Sequence, residues 1–265
     1  MTVVPGQTPA RRRSDLATRA LAGAAMIFVA VGALALGGTA FWLLAVAAAG
    51  LMLAEWAGLM RSSSRRIVLA LVLFSVPMLF LMPAVGGANR DTIAILVACA
   101  LLVMVVGNSG RLGMGLLYVG LPTAGLLFLR GQPAGIGWTL WTLAIVWATD
   151  IGAYFSGRAI GGRKLAPRLS PNKTWAGLFG GMAGALIVGG LIAWIAGLPT
   201  ACLWLGPPLA VLAQIGDLFE SWLKRRAGVK DSGRLLPGHG GALDRLDGVV
   251  PVAVLVSGLV AGGVL

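Results

Sequence analysis

Charge is what this sequence has least of. Only 11% of its 265 residues are Asp, Glu, Lys or Arg, and nine of those are acidic. A soluble domain normally carries about a quarter of its residues as charges, so this chain could not cover its own surface in water. A single histidine excludes a zinc site built on histidines. Cys99 and Cys202, the only cysteines, lie in or beside apolar runs without disulfide or metal-ligand spacing. They read as small core hydrophobes. Apolar residues fill the remaining space: 58% of the chain is hydrophobic and the mean hydropathy is +0.89.

About 20 apolar residues span a bilayer as a helix, which satisfies its own backbone polar groups there. Such runs fall near 20–37, 39–58, 67–83, 92–107, 115–129, 136–156, 175–197, 203–222 and 248–264. The pattern predicts an all-α polytopic membrane protein of about nine transmembrane helices. The stretch 20–58 is too long for one span and reads as a tight hairpin at Gly37, Gly38 and Thr39. Three regions follow: a basic N-terminal segment, 1–19; an N-terminal scaffold, 20–135; and a C-terminal catalytic region, 136–265, with polar loops at 157–174 and 223–247. The Arg11-Arg12-Arg13 run before the first apolar stretch has the look of a signal peptide or a weak twin-arginine signal. Further spans follow at once, which favours a retained first helix.

With a cytoplasmic N-terminus, nineteen of the 21 Lys and Arg residues fall on inner loops, leaving Arg90 and Arg130 outside. That asymmetry is the positive-inside rule. An odd number of spans then puts the C-terminus outside, in a protein of the inner (cytoplasmic) membrane. The net charge of +12 thus reports topology and attraction to anionic membrane lipids, not a nucleic-acid partner.

Six of the nine acids lie between 150 and 247, so polar chemistry is confined to two loops and the helix ends beside them. Glu55, Asp150 and Asp217 fall at membrane depth, where an ionised group costs roughly 2.5–3.5 kcal/mol and needs a partner, a cavity or a function. For Glu55, beside Trp56, an interfacial anchor and a functional role weigh equally. Asp217 is four residues before Ser221 and seven before Lys224, a polar stripe on one helical face. The first loop, Gly161 to Thr174, joins paired glycines to a cluster of cations. Its Ser170-Pro171-Asn172-Lys173-Thr174 turn leads into a helix whose free N–H groups favour anions.

The second loop runs from Lys224 to Asp247. Asp244 and Asp247 are three apart, so on a helical turn their carboxylates converge, and hard oxygen ligands in such a pair suit Mg²⁺. His239, flanked by Gly238, Gly240 and Gly241, reads as a loop-ordering or phosphate-touching residue. Cations beside carboxylates fit a reaction between two polyanions, with a metal bridging the phosphates.

The stretch Ser221-x-Leu-Lys224-Arg225-x4-Lys230-Asp231-x-Gly233-x2-Leu-Pro237-x-His239-Gly240-Gly241-x2-Asp244-Arg245-x-Asp247 resembles the signature of the bacterial phosphatidate cytidylyltransferase (CDP-diacylglycerol synthase) family. Asp150-x2-Ala-Tyr154-x2-Gly157-Arg158 and the segment from Lys164 to Trp175 are similar to a second region of that family. Ala242 departs from the larger aliphatic residue usual there. The resemblance implies a multi-helix homodimer with a polar cavity, acting on CTP and phosphatidic acid with Mg²⁺ and a second, monovalent cation such as K⁺. It implies Asp217, Asp244 and Asp247 as metal ligands and catalytic carboxylates, with Asp231 nearby and Lys224 and Arg245 as catalytic cations. Ser170, Lys173, Ser221, Arg225, Lys230 and His239 would contact the substrates.

In that reading a phosphatidate oxygen attacks the α-phosphorus of CTP in line and pyrophosphate leaves. The nucleophile is already anionic, so positioning and charge neutralisation suffice. A CDP-alcohol phosphotransferase would need Asp-Gly-x2-Ala-Arg, but Val249, Val250 and Pro251 follow Asp247-Gly248. A secondary transporter would show internal repeats with charges near midplane in both halves. Here the charges sit in two loops on one side.

Overall fold

The computed structural model describes residues 28–233 and 240–265. The basic N-terminal segment, the start of the first expected span and His239 lie outside them. Residues 28–36 are helical. The chain then breaks at Gly37 and Gly38, both at positive φ, a backbone region that costs glycine nothing. Arg130, expected on the outer side, donates from Nε to Leu34 O at 2.9 Å and so serves the end of that first helical stretch.

The following helices are α1 (Gly38–Leu59), α2 (Ser64–Phe80), α3 (Arg90–Val106), α4 (Gly110–Gly131) and α5 (Gly135–Ala159). After a small hairpin come α6 (Trp175–Ile195), α7 (Gly206–Ala227), the single-turn α8 (Leu243–Leu246) and α9 (Val249–Ala261). Four of them, α1, α4, α5 and α6, are long and apolar enough to cross a membrane. The helices α2 and α3 have 17 residues each, α9 has 13, and α7 is long but ends in Lys224, Arg225 and Arg226. An all-helical membrane architecture therefore holds, with one departure. The first polar loop is a hairpin, β1 (Lys164–Ala166) antiparallel to β2 (Ser170–Thr174).

Two apolar cores form. One gathers α1 to α4 around Leu53, Met78, Leu96 and Leu116, and reaches Leu243 of α8. The other joins α5, α6, α7 and α9 around Trp141, Ile145, Leu209 and Val252. The glycines of α6 decide how closely it meets α5. A Cβ on Gly181 would lie 2.9 Å from Thr149 O, and one on Gly184 would lie 2.8 Å from Ala148 O. Gly177, Gly181 and Gly184 stand three or four apart in the sequence, a small-residue face whose partner lies within the same chain, and the contact is backbone against backbone. This fixes the hairpin between α5 and α6 at the polar end of the bundle.

Candidate active site

The hairpin carries the first half of the site. Thr174 closes β2 and caps α6, its Oγ1 accepting from Gly177 N–H at 3.0 Å. That cap sets the register of the strand before it, so Lys173 points towards α7. Its Nζ lies 2.5 Å from Asp217 Oδ2 and donates to Gln214 Oε1 at 2.8 Å. Ser221 donates to the other Asp217 oxygen at 3.4 Å, along the helical stripe expected from the sequence. Asp150, Tyr154, Ser170, Lys173, Gln214 and Asp217 line a cavity of about 290 Å³.

Asp247 belongs to the same group. Its backbone packs directly on Gly216, where any Cβ would collide with the Asp247 carbonyl. Burial, then the charges of Asp217 and Asp150, push its carboxyl up to about 7, opposed by the Gly248 N–H and by Lys173. The cation Arg245 is exposed and lies within electrostatic reach of Asp150. Three acids therefore surround Lys173.

Asp244 does not join them. Its Oδ1 receives Lys224 Nζ at 2.5 Å, and its Oδ2 accepts from Ser232 N–H, Ser232 Oγ and Gly241 N–H at 2.8–3.0 Å. Burial raises its carboxyl, but the bonds from Lys224, Gly241 and Ser232 outweigh this and hold it down at about 2. Lys224 is shared with Glu220 at 2.7 Å. Glu55 completes this second cluster. It is 6% exposed and accepts from Ala242 N–H at 2.9 Å and Leu243 N–H at 2.8 Å, and it lies 3.0 Å from Ser232 Oγ, whose one proton it shares with Asp244.

Of the expected residues, the structure brings together Asp217, Asp247, Lys173, Ser170 and Ser221. Asp244 and Asp247, three apart, hold different partners: loop N–H groups and Lys224 bind Asp244, while Asp247 lies by Asp217 and Lys173 and also within electrostatic reach of Glu220, which shares Lys224 with Asp244. Lys224, expected as a catalytic cation, lies between two carboxylates. Arg225, Lys230 and Asp231 are exposed beyond the end of α7. Among the described residues, no group of three or more His, Cys, Asp or Glu side chains is arranged to hold a metal ion, so the expected trio of ligands is not assembled as one group.

Sequence reasoning gave no role to Gln214 or Tyr118. The Tyr118 hydroxyl is buried without a hydrogen-bond partner among the described residues, within electrostatic reach of Asp247 and Glu220. A polar atom amid an apolar helix was the available signal for both.

The family model described as the cytidylyltransferase family matches residues 17–261. The chain belongs to this cytidylyltransferase family. It is 43% identical over 254 residues to the phosphatidate cytidylyltransferase of Brucella suis biovar 1, covering 92% of each chain. It is 36% identical over 192 residues to that of Bacillus subtilis strain 168, covering 68% of this chain and 71% of the relative. The family match spans both polar clusters and the apolar scaffold.

Proposed function

We propose that this cytidylyltransferase is a phosphatidate cytidylyltransferase, transferring CMP from CTP to phosphatidic acid to give CDP-diacylglycerol and pyrophosphate. The observation that carries the reading is the convergence of Lys173, Asp217 and Asp247 at the polar end of long apolar helices. A lipid phosphate can reach that end from the bilayer and a nucleotide can reach it from water.

Two carboxylates fit a divalent ion there. Burial, and after it the charges of Asp217 and Asp150, raise the Asp247 carboxyl; a cation would relieve the part that is negative charge, and hard oxygen donors suit Mg²⁺. Asp217 and Asp247 would hold it, while Asp244 is fully engaged elsewhere. Bound Mg²⁺ would supply charge neutralisation on the nucleotide phosphates. Lys173 and Ser170 then face the remaining phosphate oxygens from β2, and Arg245 adds positive charge at the rim. Lys224 and Asp244 hold the second loop in place. No general base is required, because the attacking phosphatidate oxygen is ionised at neutral pH.

The proposal extends to nine spans in the inner membrane, with the N-terminus and both polar clusters cytoplasmic and the C-terminus outside. Nineteen inner cations against two outer ones support that orientation. A monovalent second ion and a homodimer are carried over from the family resemblance. Purified full-length protein should convert labelled CTP and phosphatidate into a lipid-soluble nucleotide only with divalent cation. No product in any detergent or lipid would overturn the assignment.

A further inference from the structure

Away from the two polar clusters, a groove of about 640 Å³ opens where the carboxyl ends of α1 and α7 meet the start of α4. The spacing along α7 explains why it is separate from the candidate active site. Phe219, Trp222 and Arg226 recur at helical intervals on the groove side, while Asp217 and Lys224 turn to Lys173 and Asp244.

The walls are apolar and open. Met114 is 56% exposed and Trp222 is 40% exposed, with Met60 and Phe219 beside them. The polar groups are three guanidinium ions, Arg61, Arg111 and Arg226, and no carboxylate lines the groove. None of the three salt bridges among the described residues uses them. Arg61 is partly committed, donating to Ala227 O at 3.4 Å. Arg226 lies over the Trp222 ring at 5.3 Å, which orients its guanidinium without neutralising it. The Trp56 indole donates to Arg111 O at 2.9 Å and fixes the wall between α1 and α4.

Arginines beside aromatic rings at the ends of apolar helices match the headgroup level of a bilayer. The charges suit a phosphate, and the apolar walls continue along α1 and α4, both long enough to span the membrane. A free phosphate or nucleotide would leave those walls unused. An acyl chain would cover them.

We propose that this groove binds an anionic phospholipid of the surrounding membrane, held through its phosphate by Arg61, Arg111 and Arg226, at a site distinct from the candidate active site. The inference rests on the membrane reading of α1 and α4 and not on the reaction. The test uses the full chain in detergent, with native mass spectrometry following retention of added phosphatidylglycerol or phosphatidylcholine. One phosphatidylglycerol should be held more tightly than phosphatidylcholine, and on the order of tenfold more weakly in Arg61→Gln/Arg111→Gln/Arg226→Gln. Equal retention of the two lipids, unchanged retention in the variant, or displacement by inorganic phosphate would overturn the proposal. Cytidylyl transfer by the variant confirms that it is folded. If the triple variant does not fold, Arg111→Gln alone carries the test, with a smaller loss of phosphatidylglycerol expected.

Discussion

The carboxylate of Glu55 accepts the backbone N–H of Ala242, 187 residues further along the chain, at 2.9 Å. That bond ties the first long helix to the loop that carries Asp244 and Asp247. The fit leaves no slack: a Cβ on Gly233 would lie 2.5 Å from Glu55 Oε1. A membrane-depth acid is thus compensated by the N–H groups of Ala242 and Leu243 and by the Ser232 hydroxyl it shares with Asp244, and its role is to position the loop.

Glu55→Gln keeps the volume but turns one acceptor into a donor facing N–H groups. Leaving buried polar groups unmatched costs about 1–3 kcal/mol. The variant should melt earlier and turn over more slowly, with both losses partly restored in Glu55→Asp. Unchanged melting in Glu55→Gln would remove the clamp.

Asp244→Asn and Asp247→Asn should fail differently. Asp244→Asn strips Lys224 of one of two partners in a cluster only 11–14% exposed at those side chains, a loss of roughly 3 kcal/mol. Its defect should be seen first in thermal stability. Asp247→Asn removes an unfavourable buried charge, so the protein should fold as well as wild type while turnover drops by at least about a hundredfold. Equal stability of the two variants would mean the clusters are not distinct.

Helix placement was legible because bilayer-length apolar runs and glycine breaks are local signals, as the Gly37-Gly38 break shows. The glycine face of α6 was legible as well, though its partner was not, since a spacing says nothing about which helix approaches. The hairpin was not legible: strands of three and five residues, one containing Pro171, give no alternation to read. The Asp217–Ser221 part of the stripe was legible because it is intrahelical, while Lys224, expected on the same face, turns to Glu220 and Asp244. The partners of Asp244 were not legible because its donors, Ser232 and Gly241, come from loop backbone whose path no periodicity describes. Glu55 stayed ambiguous for the same reason, its partners being more than 170 residues away.

Lys173→Met should weaken CTP use more than it weakens folding. It removes the cation between Asp217 and Gln214, leaving three carboxylates without their shared partner. The expected outcome is a raised apparent KM for CTP and a lower kcat, on the order of tenfold or more in kcat/KM. Kinetics matching wild type would take Lys173 out of the site.

The raised carboxyl of Asp247 gives a pH signature. Its folded value is about 7, against roughly 3.9 for an unperturbed Asp, so the folded chain holds a proton that the unfolded chain has already released. The stability this contributes is fully present below about pH 4 and is lost as pH rises through 7. Without divalent ions, melting temperature should therefore fall between pH 5.5 and pH 8 in wild type and change less in Asp247→Asn. Mg²⁺ favours the ionised carboxylate, so it should stabilise wild type more at pH 8 than at pH 5.5 and should have little effect on Asp247→Asn. Differential scanning fluorimetry with and without Mg²⁺ at the two pH values measures both effects. A stabilisation by Mg²⁺ that is the same at both pH values would place the ion away from Asp247.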